Sequence, residues 1–379
     1  MLFHLTGWVF ASLALIGVGY STLVAVLVLS FTGNADPGAR RGGEGVSILK
    51  PLHFEDPVLE QAIESFLMQR YTGAVQIVFG VQDAADPAIA IVRNLRRRYP
   101  GADIELVIDT DLHGTNSKVS NLVNMSHCAK HDILVVSDSD IVVPPDWLTR
   151  ITGALATDGV GAVSCLYAGK AEANGWSKLS AMGATYEFLP NVVAALCFRM
   201  ATPCFGSTIA MRRPTLERIG GFRAFANKLA DDYEIGRAIR AHGLTVAIPA
   251  FVVTHSSVER SLKDLYLHEV RWNRTTRIIA PLGHAGSVIT RPLPLALLAC
   301  VMTSFAVPVV GLLGLALLAR LILKTSIDRK FATYAGPVYA LPASDIVSFS
   351  MYLASFFAED VHWRGSRFAV TTSGALSKT

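Results

Sequence analysis

Charge is the first thing this sequence is short of. Asp, Glu, Lys and Arg make up 17% of its 379 residues, where a soluble globular domain carries about a quarter. Apolar residues fill the difference, at 51% of the chain with a mean hydropathy of +0.40. That balance points to membrane segments before any motif is read. An excess of either sign is also lacking. The 34 basic and 30 acidic residues leave a net charge of +4, which gives no argument for a nucleic-acid partner. So small an excess fits a protein resting on anionic lipid as well as it fits ordinary solubility. Paired cysteines are absent too. Cys128, Cys165, Cys197, Cys204 and Cys300 are scattered, with no CxxC and no Cys/His ligand spacing, so a zinc site is not expected. Reduced, mostly buried thiols suit a cytosolic compartment. There is no internal repeat and no low-complexity segment.

What the sequence does have is long uncharged runs. Residues 7–31 (GWVFASLALIGVGYSTLVAVLVLSF) carry no charge and are long enough for one helical span. A signal peptide would have a basic start and a shorter core. Arg40 and Arg41 follow closely, so the positive-inside rule places the next segment in the cytosol. Residues 1–32 therefore read as an N-terminal transmembrane helix and 33–45 as a Gly-rich linker. Residues 46–258 change to a soluble α/β composition. Strands are expected at 46–52, 75–81, 104–108, 133–136, 162–167, 207–211 and 245–248, and helices at 58–68, 89–99, 117–129, 214–221 and 234–242. Alternation with short connections implies a largely parallel sheet with helices on both faces. Such sheets bind ligands beyond the carboxyl ends of their strands. Residues 259–290 hold a basic amphipathic helix at 261–279, suited to a membrane surface. Residues 291–379 form a C-terminal membrane region and tail. Within it, 292–323 reads as one tilted span or a re-entrant pair interrupted by Pro292, Pro294 and Pro308, and 336–358 as a weaker span carrying Asp345.

Four clusters carry possible chemistry. Asp138 and Asp140 stand at i and i+2 after the β-branched run ILVV. Two carboxylates at a strand end, joined by phosphate oxygens, make a hard oxygen site suited to Mg2+ or Mn2+. The plainer alternative is a solvated turn. Asp83 and Asp86 follow the second strand. Either carboxylate can accept from a base N–H or a ribose hydroxyl, while Asp86 before Pro87 also reads as a helix cap. Asp231 and Asp232 precede a helix and can serve as caps or supply a general base. His268, Arg271 and Trp272 lie on the amphipathic helix. Arg and Trp there are interfacial anchors, or the arginine turns inward to a diphosphate. Lys118, with Asn116 and Asn121 near a helix start, attracts phosphate or is simply solvated. His255 reads as a core histidine or as an extra metal or phosphate contact.

In this order, between these membrane segments, the clusters resemble the ceramide glucosyltransferase-like family, glycosyltransferase family 21. Its signature is three separated aspartate motifs followed by (Gln/Arg)-x-x-Arg-Trp. VQDAADPAI looks like the first motif, VSDSDI the second, LADDYEIG the third and HEVRW the last. The flanks SILKPL, NSKVSNL, IGGFRAFA and HWRGSRF agree, so the resemblance covers nearly the whole chain. His268 departs from the family's Gln or Arg, which leaves open any role needing a permanent charge or an amide there. AVQIVFGVQD, KVSNLVNM, TPCFG and SVITRPLPLALL look most similar to the bacterial hopanoid-associated branch.

The resemblance implies an α/β fold of GT-A type. It implies a cytosol-facing catalytic domain, tethered to the bacterial inner membrane by N- and C-terminal transmembrane helices. It also implies inverting transfer from a UDP-sugar to a lipid acceptor, N-acetylglucosamine to a hopanoid such as bacteriohopanetetrol or glucose to ceramide. Carried over, Asp83 and Asp86 hold the uridine side, and Asp140 sits at the metal with Asp138 close by. Asp232 is the base, Arg271 steadies the diphosphate and Trp272 shapes the sugar or acceptor pocket. Residues 179–203 and 261–279 are the expected acceptor rim. A processive polysaccharide synthase has a similar site but more spans. A transporter or scaffold would leave the ordered carboxylates unexplained.

Overall fold

The computed structural model describes residues 2–34, 43–53, 58–358, 360–363, 366–370 and 376–378. Most of the expected linker, with Arg40 and Arg41, lies outside the described residues, as do Arg364 and Gly365 of the HWRGSRF segment. The chain divides into two compact units. A helical unit takes Met1–Phe31, Ala168–Ala201 and Ser257–Arg367, and a sheet unit takes Thr32–Tyr167, Thr202–Ser256 and Phe368–Thr379. The segment expected as one domain, 46–258, thus gives 168–201 and 257–258 to the helical unit.

After α1 (Leu2–Ser30) the sheet unit alternates as expected: β1 (Val46–Pro51), α2 (Leu59–Leu67), β2 (Val75–Val81), α3 (Ala88–Arg98), β3 (Asp103–Ile108), α4 (Ser117–Ser126) and β4 (Ile133–Val136). β1 and β4 are buried at every position. Unalternated apolar runs require this, because helices cover both faces of a parallel sheet. Next come β5 (Ile141–Val142), α5 (Trp147–Leu155), β6 (Val160–Ser164), β7 (Leu166–Ala171), α6 (Gly175–Gly183), α7 (Leu189–Cys197), β8 (Ile209–Arg212), α8 (Arg213–Arg218), α9 (Asp231–Ala241), β9 (Thr245–Ala247) and β10 (Val252–Ser257). The main sheet has seven strands in the order β3-β2-β1-β4-β8-β6-β9. β1 pairs in parallel with β2 and β4, and β2 with β3, while β8 runs antiparallel to both β4 and β6. The core beneath includes Ile48, Phe79, Val135 and an edge-on Phe66–Trp147 pair at 5.2 Å.

Two local expectations change. The run 162–167 is not one strand but the end of β6 and the start of β7, parted at Cys165. The run carries no Gly or Pro to announce a break. The break is held by tertiary bonds: the Ser164 hydroxyl donates to Phe205 O at 3.2 Å and the Ser207 hydroxyl to Cys165 O at 3.0 Å. α9 starts at Asp231, three residues before the expected Glu234, so both aspartates lie inside its first turn. Carboxylates there are favoured by the helix dipole.

The helical unit holds α1, α6, α7, α10 (Leu262–Ile279), α11 (Pro281–Gly286), α12 (Pro292–Met302), α13 (Val307–Phe331) and α14 (Leu341–Ala354). Two of its helices, Phe3–Ser30 and Val307–Phe331, are long and apolar enough to cross a membrane. Pro281–Thr290 and Pro292–Met302 form a pair bent by 66°. The run 292–323 is broken after α12, where Ser304 and Phe305 take φ of 54° and 59°. In the weaker span expected at 336–358 the structure has a shorter apolar helix, Val338–Ala354, whose α-helical part, α14, has 14 residues. α1 packs so closely on the turn before α12 that a Cβ on Gly17 would stand 2.4 Å from Ile289 O. The apolar stretch 179–203 conceals a π turn, Ala184–Phe188, between α6 and α7. Such a turn frees backbone carbonyls, and Tyr186 O accepts from Arg320 at 2.9 Å, while Arg320 also grips Asp345 through two bonds of 2.7 Å. β11 (Asp360–Trp363), β12 (Ser366–Val370) and β13 (Leu376–Lys378) end the chain, and β12 pairs antiparallel with β13.

Candidate active site

Strand order reverses between β1 and β4, since the chain runs outward through β2 and β3 on one side and continues from β4 on the other. In open α/β sheets such a switch point opens a crevice at the strands' carboxyl ends. Parallel pairing puts Lys50 of β1, Asp83 after β2 and Asp138 after β4 at one edge. Antiparallel β8 enters from that same edge, so the loop before it delivers Gly206 there.

Asp138 and Asp232 meet through Gly206. Asp138 N donates to Gly206 O at 3.3 Å, and Gly206 N donates to Asp232 Oδ2 at 2.9 Å. Lys118 reaches in from α4, with its Nζ 2.6 Å from Asp138 Oδ1 and 3.5 Å from Asp231 Oδ2. Burial alone would lower the Lys118 pKa, but the carboxylates of Asp138, Asp231 and Asp232 outweigh it and hold the ammonium above its usual range. Asp138 is raised, by burial first and by Asp140, against the pull of Lys118. Asp232 is raised to about 6, by burial and then by the charge of Asp231; Lys118 and the N–H groups of Tyr233 and Gly206 oppose the shift.

Asp140 faces His255, whose Nε2 is 3.3 Å from Asp140 Oδ2. The pairing of β5 with β10 sets this contact: His255 lies opposite Ile141, and Ser256 N donates to Asp140 O at 2.9 Å. Beneath the turn lies Lys50, 0% exposed. Its Nζ donates to Asp138 O at 2.8 Å and sits 3.8 Å from the Phe66 ring centre. Burial lowers its pKa to about 7, with Asp140 and Asp138 pulling the other way.

The first aspartate pair divides its work. Asp86 is buried and accepts from Ala88 N, the first residue of α3, at 2.9 Å. Asp83 is exposed beyond β2, with one oxygen accepting from Ala85 N at 2.8 Å. His268, Arg271 and Trp272 lie on α10 in the helical unit. There His268 Nδ1 hydrogen-bonds the buried Glu259 carboxylate, and its ring meets Trp272 edge-on at 4.4 Å.

Among the expected residues, Lys118, Asp138, Asp140 and Asp232 are therefore gathered in one place. Lys118 stands there between the Asp138 and Asp231 carboxylates. Sequence reasoning assigned nothing to Lys50 or Gly206. A lysine inside the otherwise apolar SILKPL was the available signal for the first. Gly206 had none, because its value lies in contacts across the sheet: a Cβ there would stand 2.7 Å from Asp138 Oδ2 and 2.9 Å from Lys118 Nζ. Both atoms end flexible side chains but are tied to each other. Gly206→Ala is expected to lower turnover about 10- to 100-fold through misplacement, with circular dichroism unchanged. Normal turnover in that variant would mean that this spacing is not critical.

Asp138, Asp140 and His255 offer two oxygen donors and an imidazole. No three His, Cys, Asp or Glu side chains among the described residues form a ready metal cage. One or two carboxylates together with phosphate oxygens are the usual donors to Mg2+.

A family model described as Glycosyl transferase family 21 matches residues 9–376. Ceramide glucosyltransferase 1 of Caenorhabditis elegans is 24% identical over 235 residues, 60% of this chain and 49% of that protein. Ceramide glucosyltransferase of Candida albicans is 37% identical over 109 residues, 26% of this chain and 20% of that protein. The chain spans about half the length, or less, of these curated relatives. A mannosyltransferase from Pyrobaculum calidifontis, solved with GDP-Man and Mn2+, superposes with a TM-score of 0.56 at 20% identity, covering 93% of this chain and 99% of that one. That likeness shows a shared mixed α/β fold of GT-A type. The family match, which runs nearly end to end, places the chain in glycosyl transferase family 21.

Proposed function

We propose that the protein moves one sugar from a metal-bound UDP-sugar to a hydroxyl of a membrane lipid, with inversion at the anomeric carbon. The observation that carries this is the gathering of Asp138, Asp140 and Asp232 around Gly206 and Lys118 at the sheet's switch point. Asp140 and Asp138 would hold a divalent ion, and His255 would fix the Asp140 carboxylate. When bound, the ion supplies positive charge that eases departure of the diphosphate.

Asp232 takes the proton from the lipid hydroxyl as that oxygen attacks the anomeric carbon. The new bond forms on the face opposite the leaving UDP, whose bond to the sugar breaks, and the proton stays on Asp232. No covalent sugar–enzyme intermediate is needed. With a pKa of about 6, Asp232 is mostly ionised at neutral pH, as a base must be. Asp83 would bind the uridine side while Asp86 holds the loop. The roles of Arg271, Trp272 and His268 rest on their motif alone.

N-acetylglucosamine and a hopanoid acceptor are favoured by KVSNLVNM, TPCFG and SVITRPLPLALL. The names of the curated relatives favour ceramide as the second reading. The deciding experiment incubates the purified protein with a panel of UDP-sugars, Mn2+ and either bacteriohopanetetrol or ceramide, and reads the product by mass spectrometry. One hexosamine added to the hopanoid is the expected result. Glucosylceramide would select the second reading, and a polymer or an untouched lipid would overturn both.

The metal assignment has its own check. Asp140→Asn is expected to weaken Mn2+-dependent UDP binding by at least about 100-fold, and His255→Ala by about 10- to 100-fold, as for a group that orients a metal ligand. Calorimetry with UDP and Mn2+, repeated in EDTA, reads both. UDP binding that ignores EDTA would remove the metal from this account.

A further inference from the structure

α4 carries more than Lys118. Its N-cap, Asn116, is 0% exposed, and all its polar groups are committed. The side-chain oxygen accepts from Val119 N at 3.1 Å and caps the helix. The side-chain nitrogen points away from the helix, donating to Lys228 O at 2.8 Å and to Asp231 Oδ1 at 3.2 Å. The backbone joins the same contact: Asn116 N donates to Ala226 O at 2.8 Å and Thr115 N to Asn227 Oδ1 at 3.0 Å. The two segments touch so closely that a Cβ on Gly114 would lie 2.4 Å from Ala226 O.

These four bonds tie the entry of α4 to the loop 226–231, and that loop delivers Asp232 on the first turn of α9. From the same helix Lys118 holds Asp138 and Asp231. One rigid element therefore sets the spacing between the second aspartate motif and the third.

We propose that Asn116 is a positioning residue for sugar transfer. Acting through Lys228 O and Asp231, it fixes Asp232 relative to Asp138. This rests on the reading of Asp232 as the base. Asn116 does not touch substrate; it holds the group that does. Displacement of a reacting group by about 1 Å costs on the order of 100-fold in rate, while donor binding, which does not use the base, is spared.

The test uses the full-length protein in detergent. Asn116→Ser keeps a good helix cap but cannot make the two bonds of the side-chain nitrogen. Its kcat is expected to fall about 10- to 100-fold, with the donor KM and the affinity for UDP with Mn2+ within about threefold of the unaltered protein. A second pair of variants guards against a folding artefact. Asn116→Asp sets two carboxylates against each other and is expected to be the poorer enzyme. Adding Asp231→Asn restores a donor facing an acceptor and should recover at least about tenfold in kcat over Asn116→Asp alone. The idea fails if Asn116→Ser keeps its kcat, if it loses UDP affinity in step with kcat, or if the exchange recovers nothing. Asp232→Asn is measured alongside. An inactive Asp232→Asn beside a fully active Asn116→Ser rejects the positioning role and leaves the base in place. An active Asp232→Asn rejects both.

Discussion

Asp232→Asn is expected to lower sugar transfer by about 1,000-fold or more, the range in which a positioned general base contributes. Binding of UDP with Mn2+ should change little. Gly206 N and Tyr233 N bond different oxygens of Asp232, so the substitution keeps an acceptor for one of them and removes the other bond together with the ability to take a proton. In the unaltered enzyme, kcat/KM should climb about tenfold per pH unit below pH 6 and level off above it, following the pKa of about 6. The stability of the same pair has the opposite sign. Burial and Asp231 raise the folded-state pKa above its unfolded value. The contribution of Asp232 to stability is therefore present below the unfolded pKa and is lost as pH rises through about 6. Asn escapes that loss. The inactive variant should therefore melt higher than the parent at pH 8 and show less or none of this advantage at pH 4. Stability is given up for function at many active sites, and this pattern would mark Asp232 as one. Near-normal turnover in Asp232→Asn would end the base assignment.

The second large effect is expected from Lys118→Met. Methionine matches the length of lysine and leaves Asp138 and Asp231 without the ammonium that lies between them. Removing one partner of a buried ion pair costs ~3–5 kcal/mol. The low end, about 3 kcal/mol, applies here because Asp138 still reaches solvent. The apparent melting temperature should drop by roughly 5–10 °C. Lys118 also lowers the Asp232 pKa, so the acid limb of the activity profile should move to higher pH. These outcomes separate two roles. A lysine that binds the donor phosphate would show itself in weaker UDP binding with unchanged melting. An internal counter-ion shows itself in lower melting and a shifted pH limb.

Several features were legible in the residues themselves. Apolar runs without alternation announced β1, β2 and β4, because a strand covered on both faces has no polar side to display. Gly7–Phe31 is uncharged, and a helix there can satisfy its backbone only internally in lipid. The aspartates drew attention because each stands where a strand ends or a helix begins. Other features were hidden for equally physical reasons. The break at Cys165 is imposed by hydrogen bonds to the distant loop at Phe205 and Ser207. At 336–358 the helix is the shorter Val338–Ala354, because hydropathy does not register where a helix stops. Arg320, Asp345 and Tyr186 find one another only after folding. Lys118 read as a phosphate ligand because a helix start attracts anions; that Asp138 and Asp231 also reach it was not visible before folding.

The sequence by itself determined the element types, the membrane-spanning candidates and the family, since these follow from local periodicity, run length and ordered motifs. Only the tertiary structure decided which acids share a site and what surrounds each one. Parallel pairing brings strand ends separated by many residues to one edge, and antiparallel β8 inserts Gly206 between Asp138 and Asp232. A carboxylate's role then depends on burial and on neighbouring charge, and both are properties of the packed chain.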